Sequence, residues 1–275
     1  MTASSNVLTV DGGSVTYPNG TVGLKPTHIE FQRGDFNVLL GPSGAGKSTL
    51  LRSLNGLVAL STGDIRAEGI GSIRERAALR AQRRQTGMVF QQHQLIGRLT
   101  VLANVLIGRL GYHSTLRALL PLPVSDKLIA LDALDRVGML DTALKRADQL
   151  SGGQQQRVGI ARALAQHPRI ILADEPVASL DPATASRVLD LMRGVCKDAG
   201  ITAIVSLHQV ELARAFADRV IGISCGAVVF DAAPAALDDG ALATIYGSTP
   251  VTPPARPRTH SMPALAPERE LAHST

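Results

Sequence analysis

The most constraining feature of this chain is the octapeptide GPSGAGKS at residues 41–48, which follows the apolar run Phe36–Leu40 and leads into a helical run at 48–54. A strand, a glycine-rich loop ending in Lys-Ser, and a helix form the P-loop pattern. Its glycines let the backbone curl so that successive N–H groups face phosphate oxygens, and the helix N-terminus adds the positive end of a dipole. A chance match in a chain of this length is expected in about one case in a hundred. The loop therefore predicts a nucleoside-triphosphate site.

Within this loop each residue type has an expected task. Lys47 neutralises phosphate charge, and the Ser48 hydroxyl coordinates Mg²⁺. The residues expected to bind ATP are Gly41, Pro42, Ser43, Gly44, Ala45, Gly46, Lys47, Ser48 and Thr49.

Short apolar runs that alternate with helical patterns predict the fold class. They lie at 36–40, 88–90, 170–173, 201–206 and 227–230, which predicts a largely parallel sheet flanked by helices. From 91 to 149 the strand signals cease and helical periodicity takes over, as at 127–137. We expect an α/β protein with an inserted helical subdomain.

Composition excludes several classes of protein. No uninterrupted apolar run reaches the roughly 18 to 20 residues needed to cross a bilayer, so no membrane span is expected. The net charge is +5, which is compatible with nucleic acid or an anionic membrane surface as a partner. The arginines within 73–84 have no interleaved aromatic residues, which favours a solvated helical face instead. Cys196 and Cys225 lie in apolar surroundings and are predicted to be reduced core residues. Six prolines and no apolar period at 249–275 predict a disordered tail.

An acidic pair follows the apolar run at 169–173. Asp174 and Glu175 then lie at the carboxyl end of a strand, where ligands bind in open α/β sheets. Asp174 is expected to hold Mg²⁺ through its water shell, and Glu175 to act as the general base on the attacking water. An isolated acidic pair is equally compatible with a capping or loop role, so this interpretation depends on the P-loop upstream.

Two more polar residues follow strand-like runs. His208 comes after 201–206, where it can hydrogen-bond the γ-phosphate, and Gln91 comes after 88–90, where it can contact Mg²⁺ or the attacking water. The alternatives are a structural histidine and a surface glutamine, with Gln92 and Gln94 as competing neighbours. The predicted catalytic set is Glu175, His208 and Gln91; the predicted metal set is Ser48, Gln91 and Asp174.

The segment LSGGQ at residues 150–154 decides between classes of P-loop protein. Ser151 and two glycines open a helical run whose free N–H groups and dipole form a second anion site, although a simple turn and helix cap is the alternative. P-loop kinases and small GTPases have no use for such a segment. It indicates a different class of ATPase.

With these motifs in place, the sequence resembles the ABC-type ATPase family over about residues 7–236. The resemblance implies one ATPase domain at 1–248 before the tail at 249–275. Its P-loop, RecA-like core (1–90 and 155–248) has a mostly parallel sheet and an antiparallel N-terminal β region, and 91–154 form the inserted helical subdomain.

The family resemblance also implies residue roles and a homodimer. The signature of one subunit closes over the ATP held by the other, with trans contacts expected from Ser151, Gly152, Gly153 and Gln154. Tyr17 is expected to stack on adenine, and Gln91 to couple the Mg²⁺ site to the permease. Ser179 and Asp181 are expected to link the two sites across the dimer.

The resemblance is sharper for ATP-binding subunits of phosphonate importers, whose close relatives serve phosphite. It rests on the segments 17–20, 104–112, 146–153, 176–181 and 207–214; Ser206 departs from a frequent asparagine. It implies hydrolysis of ATP with Mg²⁺ at the cytoplasmic face of the membrane. The implied partners are integral membrane permease subunits and, indirectly, an extracytoplasmic solute-binding protein; no nucleic acid is expected.

Two alternatives remain open. One is an ABC ATPase of another importer, for phosphate or amino acids. The other is a soluble, non-transport ABC ATPase of DNA repair or translation, although such proteins usually carry long insertions or two ATPase units, which this chain lacks.

Overall fold

The computed structural model describes residues 6–90, 94–114 and 120–247. Its elements, numbered in chain order, are β1 (Asn6–Thr16), β2 (Val22–Gln32), β3 (Phe36–Leu40), α1 (Lys47–Leu54), β4 (Thr62–Ala67), β5 (Gly71–Ser72), α2 (Arg76–Arg84), β6 (Thr86–Phe90), α3 (Val101–Leu106), α4 (Val124–Arg136), α5 (Gly152–Leu164), β7 (Ile170–Asp174), α6 (Pro182–Asp198), β8 (Thr202–Leu207), α7 (Val210–Phe216), β9 (Arg219–Ser224), β10 (Ala227–Ala232) and α8 (Asp239–Tyr246). Short 3₁₀ turns at 107–112, 140–142, 147–149 and 234–236 complete the described part.

A six-stranded sheet forms the centre, in the order β10-β9-β3-β8-β7-β6. Every pairing from β9 to β6 is parallel, and β10 adds an antiparallel edge. Strands β3, β7 and β8 are buried along their whole length, as expected for parallel strands covered on both faces. The predicted α/β fold with a mostly parallel sheet is confirmed.

The N-terminal part forms a second sheet, in the order β2-β1-β4-β5, whose pairings are all antiparallel. It packs with α1 against one face of the central sheet. Residues such as Phe31, Leu50 and Leu172 share this apolar layer. The antiparallel N-terminal region is therefore confirmed.

Helices cover the opposite face of the central sheet. Alternate residues of β3 point there, where Val38 and Leu40 meet Leu189 of α6 and Ile160 of α5 in one apolar cluster. Fully burying one such aliphatic side chain stabilises the fold by about 1.5 to 3 kcal/mol. The central sheet is thus fixed between two apolar layers, which leaves its strand ends free to carry polar residues.

Helices α3 and α4 and the 3₁₀ turns at 107–112, 140–142 and 147–149 lie between β6 and α5. Helix α4 buries Ala130, Ala133 and Leu134, whereas Leu128 is 61% exposed, so its buried stripe is offset from the three-residue apolar spacing of the sequence. No described residue between 94 and 150 belongs to a strand. The boundaries of an inserted subdomain at 91–154 stay a prediction.

Several details differ from the sequence expectations. Strand β9 was not predicted. Cys196 is buried, but the prediction that Cys225 lies in the core is wrong: it is exposed in the turn between β9 and β10. The tail at 249–275 lies outside the described residues. None of the described helices is both long and apolar enough to cross a membrane.

Candidate nucleotide-binding and hydrolysis site

The candidate site lies where three adjacent strands end. Strands β3, β8 and β7 are neighbours in the sheet, and Leu40 of β3 pairs with Leu207 of β8. Because these strands are parallel, the segments that follow them emerge at one edge. The P-loop, His208 and the pair Asp174 and Glu175 are brought together in this way.

The P-loop has a backbone that only glycine fits at its last turn. Gly46 has a φ of 112°, and a Cβ there would lie 2.5 Å from the Gly23 carbonyl oxygen. Gly46 is also the N-cap of α1 and offers no side chain to cap it. The first N–H groups of α1 are therefore available to an anion rather than to a protein side chain.

Lys47 is buried in the loop, with 3% of its surface exposed. Its ammonium donates hydrogen bonds to the carbonyl oxygens of Gly41 (2.6 Å) and Pro42 (3.0 Å). Burial lowers the pKa of Lys47, while the nearby charges of Glu175 and Asp174 oppose this shift. The cation is thus held beside the acidic pair.

Ser48 and Asp174 provide oxygen donors next to the loop. The Ser48 hydroxyl donates to Asp174 Oδ1 across 2.7 Å, and Arg52 Nη2 lies 3.4 Å from Asp174 Oδ2. No cluster of three or more potential metal-ligating His, Cys, Asp or Glu residues exists within the described ranges. One carboxylate and one hydroxyl suit Mg²⁺, which takes few protein ligands and completes its shell with water and phosphate oxygens.

Glu175 begins the turn after β7. Its φ of 49° lies in the left-handed region, which is unusual for a residue with a side chain. Its backbone N–H donates to Ser206 Oγ across 2.8 Å. Its carboxylate is 19% exposed and lies within hydrogen-bond distance of His208 Nε2.

His208 lies between Lys47 and Glu175. Lys47 Nζ is 3.4 Å from His208 Nδ1. An ammonium can only donate, so Nδ1 accepts and the proton of the neutral ring lies on Nε2, which faces the Glu175 carboxylate. The predicted base and the predicted phosphate ligand are therefore in direct contact.

Tyr17 and the P-loop share a cavity of about 180 Å³. The Tyr17 hydroxyl is 3.0 Å from Thr49 Oγ1. The cavity is lined by Tyr17, Thr21, Val22, Gly23, Gly44, Ala45, Gly46, Lys47, Ser48, Thr49 and Glu175. Of the predicted ATP-binding residues, Gly41, Pro42 and Ser43 do not line it.

The signature forms the beginning of α5 on the surface. Ser151 is the N-cap, and it forms a capping box with Gln154, so this helix start is capped within the chain. Ser151, Gly152 and Gln154 are exposed, and Gly153 is half-buried. No signature residue is among those lining the P-loop cavity in the described part of the chain.

The start of α6 lies against the signature. Asp181 is its N-cap and accepts a hydrogen bond from the Thr184 N–H at 3.0 Å. A Cβ on Gly153 would lie 2.6 Å from Thr184 Cγ2. Ser179 and Asp181 are exposed.

Gln91 lies outside the described residues; Phe90, which precedes it, pairs with Asp174.

Two residues that support the site were not predicted from the sequence. One is Ser206. The other is Gly226, whose N–H donates to the Ala45 carbonyl at 2.8 Å and whose carbonyl accepts from the Lys25 N–H at 2.7 Å. The pair Cys225-Gly226 indicates a turn, but no neighbouring residue in the sequence indicates that this turn contacts the P-loop.

Comparisons with known proteins show which family this chain is similar to. The family model described as ABC transporter matches residues 24–178. The phosphite import ATP-binding protein PxtA of Stutzerimonas stutzeri is 59% identical over 266 residues, covering 97% of this chain and 96% of that protein. The phosphonates import ATP-binding protein PhnC 3 of a Nostoc species is 58% identical over 235 residues, covering 86% and 90%.

The fold is also similar to that of a solved ATP-binding cassette. The ATP-binding cassette MJ0796, in a dimeric post-hydrolysis state bound to ADP and phosphate, has a TM-score of 0.72 and 33% identity over 82% of this chain and 98% of that one. Family model, relatives and fold agree, and the chain belongs to the ABC transporter family.

Proposed function

We propose that this chain is the ATP-hydrolysing subunit of an importer for phosphonate or phosphite. It works as a homodimer, bound peripherally to permease subunits at the cytoplasmic face of the membrane. The observation that carries the proposal is the identity of 58 to 59% with two importer ATP-binding proteins over 86 to 97% of the chain. The permease would receive solute from an extracytoplasmic binding protein, so this chain need not contact the solute itself.

The P-loop is proposed to hold the triphosphate of ATP. The N–H groups at the start of α1 face the phosphate oxygens, and Lys47 moves from its carbonyl partners to the phosphates. Ser48 and Asp174 are the proposed Mg²⁺ ligands, Asp174 through water, with Gln91 as a third. Mg²⁺ bound there would shield the negative charge of the β- and γ-phosphate oxygens. Tyr17 is the proposed contact for adenine.

Glu175 is the proposed general base. Its carboxylate accepts a proton from the water that attacks the γ-phosphorus, and the bond to the ADP oxygen breaks. His208 is the proposed γ-phosphate ligand. The Nε2–H group of His208 faces the Glu175 carboxylate. When ATP binds, this N–H group can turn to a phosphate oxygen instead. Glu175 is then free to accept a proton from water.

The second copy is proposed to complete each site. Ser151, Gly152 and Gln154 are exposed, and among the described residues no signature residue lines the P-loop cavity of its own chain. Both observations support a contact in trans from Ser151, Gly152, Gly153 and Gln154. Ser179 and Asp181 come just before α6, whose Thr184 lies close to Gly153, and this closeness supports a link between them and the signature.

The permease is proposed to dock in a cleft beside β6. This cavity of about 330 Å³ is lined by apolar side chains, among them Leu57, Phe90 and Ile107, and by Arg83 and Arg162. It adjoins Gln94, three residues after Gln91, so the docking surface and the proposed Mg²⁺ ligand are close along the chain. This proximity supports Gln91 as the coupling residue.

Phosphonate and phosphite are both proposed cargoes, because relatives of both kinds match this chain at 58 to 59% identity. Both cargoes are small phosphorus oxyanions, so the two systems can be distinguished by competition.

The test is uptake of labelled 2-aminoethylphosphonate by source cells, with and without excess phosphite. A chromosomal Glu175→Gln strain is compared with wild type. Loss of uptake in the mutant supports the proposal, and strong competition by phosphite identifies phosphite as the preferred cargo. Unchanged uptake in a strain without any second phosphonate importer would remove phosphonate as the cargo.

A separate measurement tests the transport role. Integral membrane subunits that co-purify with the tagged chain support an importer. Co-purification with ribosomes or DNA instead would support a soluble, non-transport ABC ATPase.

A further inference from the structure

Ser206 makes two hydrogen bonds at the centre of the candidate site although it has no expected role there. It lies near the end of β8 and is fully buried. Its Oγ accepts from the Glu175 backbone N–H at 2.8 Å and donates to Asp174 Oδ1 at 3.1 Å. One hydroxyl thus bonds both members of the acidic pair.

The course of the two strands explains why a side chain is needed here. The last registered pair between β7 and β8 is Ala173 with Val205. Beyond it, Glu175 turns into the left-handed region with a φ of 49°. Its N–H leaves the strand ladder, and a buried N–H without an acceptor is costly. Ser206 Oγ takes the place of the missing backbone acceptor.

The hydrogen-bond chemistry fixes the direction of each bond. A backbone N–H can only donate, so Ser206 accepts from Glu175 and its single hydroxyl hydrogen goes to Asp174. Asp174 Oδ1 also accepts from Ser48. The Asp174 carboxylate is therefore held by two hydroxyls, one from the P-loop side and one from β8.

The left-handed backbone of Glu175 requires such support. A residue with a side chain held in that region stores strain of order 1 to 3 kcal/mol, and it persists only where the surrounding structure fixes it. The described contact that holds the Glu175 N–H is the one from Ser206. Without it, the direction in which the Glu175 carboxylate leaves the backbone is no longer fixed.

We propose that Ser206 is a positioning residue for ATP hydrolysis, which sets the backbone of Glu175 and the orientation of the Asp174 carboxylate. This inference rests on the proposed function of the site. Ser206 is fully buried, and it acts through its bonds to Glu175 and Asp174. Its loss should therefore reduce kcat while the KM for ATP, set by the P-loop, changes little.

The test compares Ser206→Ala with wild type in the full chain, alone and with any co-purifying membrane partner. We expect kcat, measured at saturating ATP, to fall about 10- to 100-fold. Small misplacements of reacting groups produce effects of this size. The KM for ATP should stay within about two-fold, since a transition-state effect leaves ground-state binding intact. Ser206→Thr and Ser206→Asn each keep a donor and an acceptor, and at least one should restore most of kcat.

Thr202 provides a matched control on the same strand. It is fully buried, accepts from the Gly34 N–H at 2.9 Å and donates to the Gln32 carbonyl at 3.3 Å, but it lies at the opposite end of β8. Thr202→Val should lower Tm and leave kcat at saturating ATP unchanged. If Ser206→Ala does not fold, Ser206→Cys, which keeps the volume and weakens the hydrogen bonds, takes its place.

The outcomes separate this inference from the proposed function. If kcat of Ser206→Ala at saturating ATP stays within about two-fold of wild type, the positioning role is overturned. A loss of kcat that neither Ser206→Thr nor Ser206→Asn restores overturns it as well. If the wild-type chain hydrolyses no ATP, either alone or with a co-purifying membrane partner, the proposed function itself is overturned.

Discussion

Ser48 Oγ and Asp174 Oδ1 are joined by a hydrogen bond of 2.7 Å, although the two residues are 126 positions apart in the chain. This contact brings together the two oxygen donors proposed for Mg²⁺. Asp174→Asn keeps the shape and removes the charge, so we expect hydrolysis to fall about 100-fold and the Mg²⁺ requirement to rise. The check is the ATPase rate during a Mg²⁺ titration.

The exposed acid Asp148 is a suitable control for this substitution. It pairs with Arg146 on the surface. Asp148→Asn should leave the Mg²⁺ dependence unchanged. An unaltered Mg²⁺ dependence in Asp174→Asn would remove Asp174 from the metal site.

Glu175→Gln tests the proposed base. The amide cannot accept the proton of the attacking water, and general-base catalysis is worth about 10² to 10⁴ in rate. We expect ATP binding to remain while turnover falls by at least about 100-fold and the dimer stays closed around ATP. Single-turnover assays and size-exclusion chromatography with ATP measure both effects. Turnover at the normal rate would show that another group is the base.

Gly46→Ala and Gly44→Ala separate steric conflict from backbone strain in the P-loop. A Cβ on Gly46 would lie 2.5 Å from the Gly23 carbonyl oxygen, whereas a Cβ on Gly44 would meet nothing within 4 Å. Both have positive φ, so each substitution carries strain of about 1 kcal/mol, and only Gly46→Ala adds the clash. Thermal denaturation should show a clearly larger loss of Tm for Gly46→Ala. Equal losses would show that the loop relaxes around the new methyl group.

The sequence predicted those parts of the site that follow from strand order. Apolar runs ending in GPSGAGKS, in Asp174-Glu175 and near His208 predict one sheet edge, because parallel strands place their carboxyl ends together. Ser206 and Gly226 were missed because their roles depend on contacts 31 and 181 residues away along the chain, with Glu175 and Ala45 respectively. Strand β9 was missed although its residues Val220 to Ile223 are buried. Its apolar run is short, and it follows α7 with few intervening residues.

Asp126 of α4 forms a buried cluster in the helical part of the chain. It is 3% exposed, accepts from Arg109 Nε at 2.9 Å and lies 2.5 Å from His113 Nε2, and Arg109 also donates to the Ala165 carbonyl at the end of α5. Asp126→Asn leaves the Arg109 charge without its carboxylate. Removing one partner of a buried pair costs about 3 to 5 kcal/mol, and the retained amide oxygen favours the lower end.

This loss of stability should depend on pH. Burial raises the pKa of Asp126, but the hydrogen bonds and charges of His113 and Arg109 outweigh it, so the pKa in the folded chain is lowered. The contribution of the carboxylate is therefore complete above its unfolded pKa of about 3.9 and is lost as the pH falls through the lower folded value. Urea unfolding should give the full difference between wild type and Asp126→Asn at pH 7 and a smaller one below about pH 4. Asp132→Asn, an exposed position on the same helix, should show neither effect. A difference that stays constant across this range would mean that packing, and not the ionised carboxylate, ties α4 to the 3₁₀ turn at 107–112 and to α5.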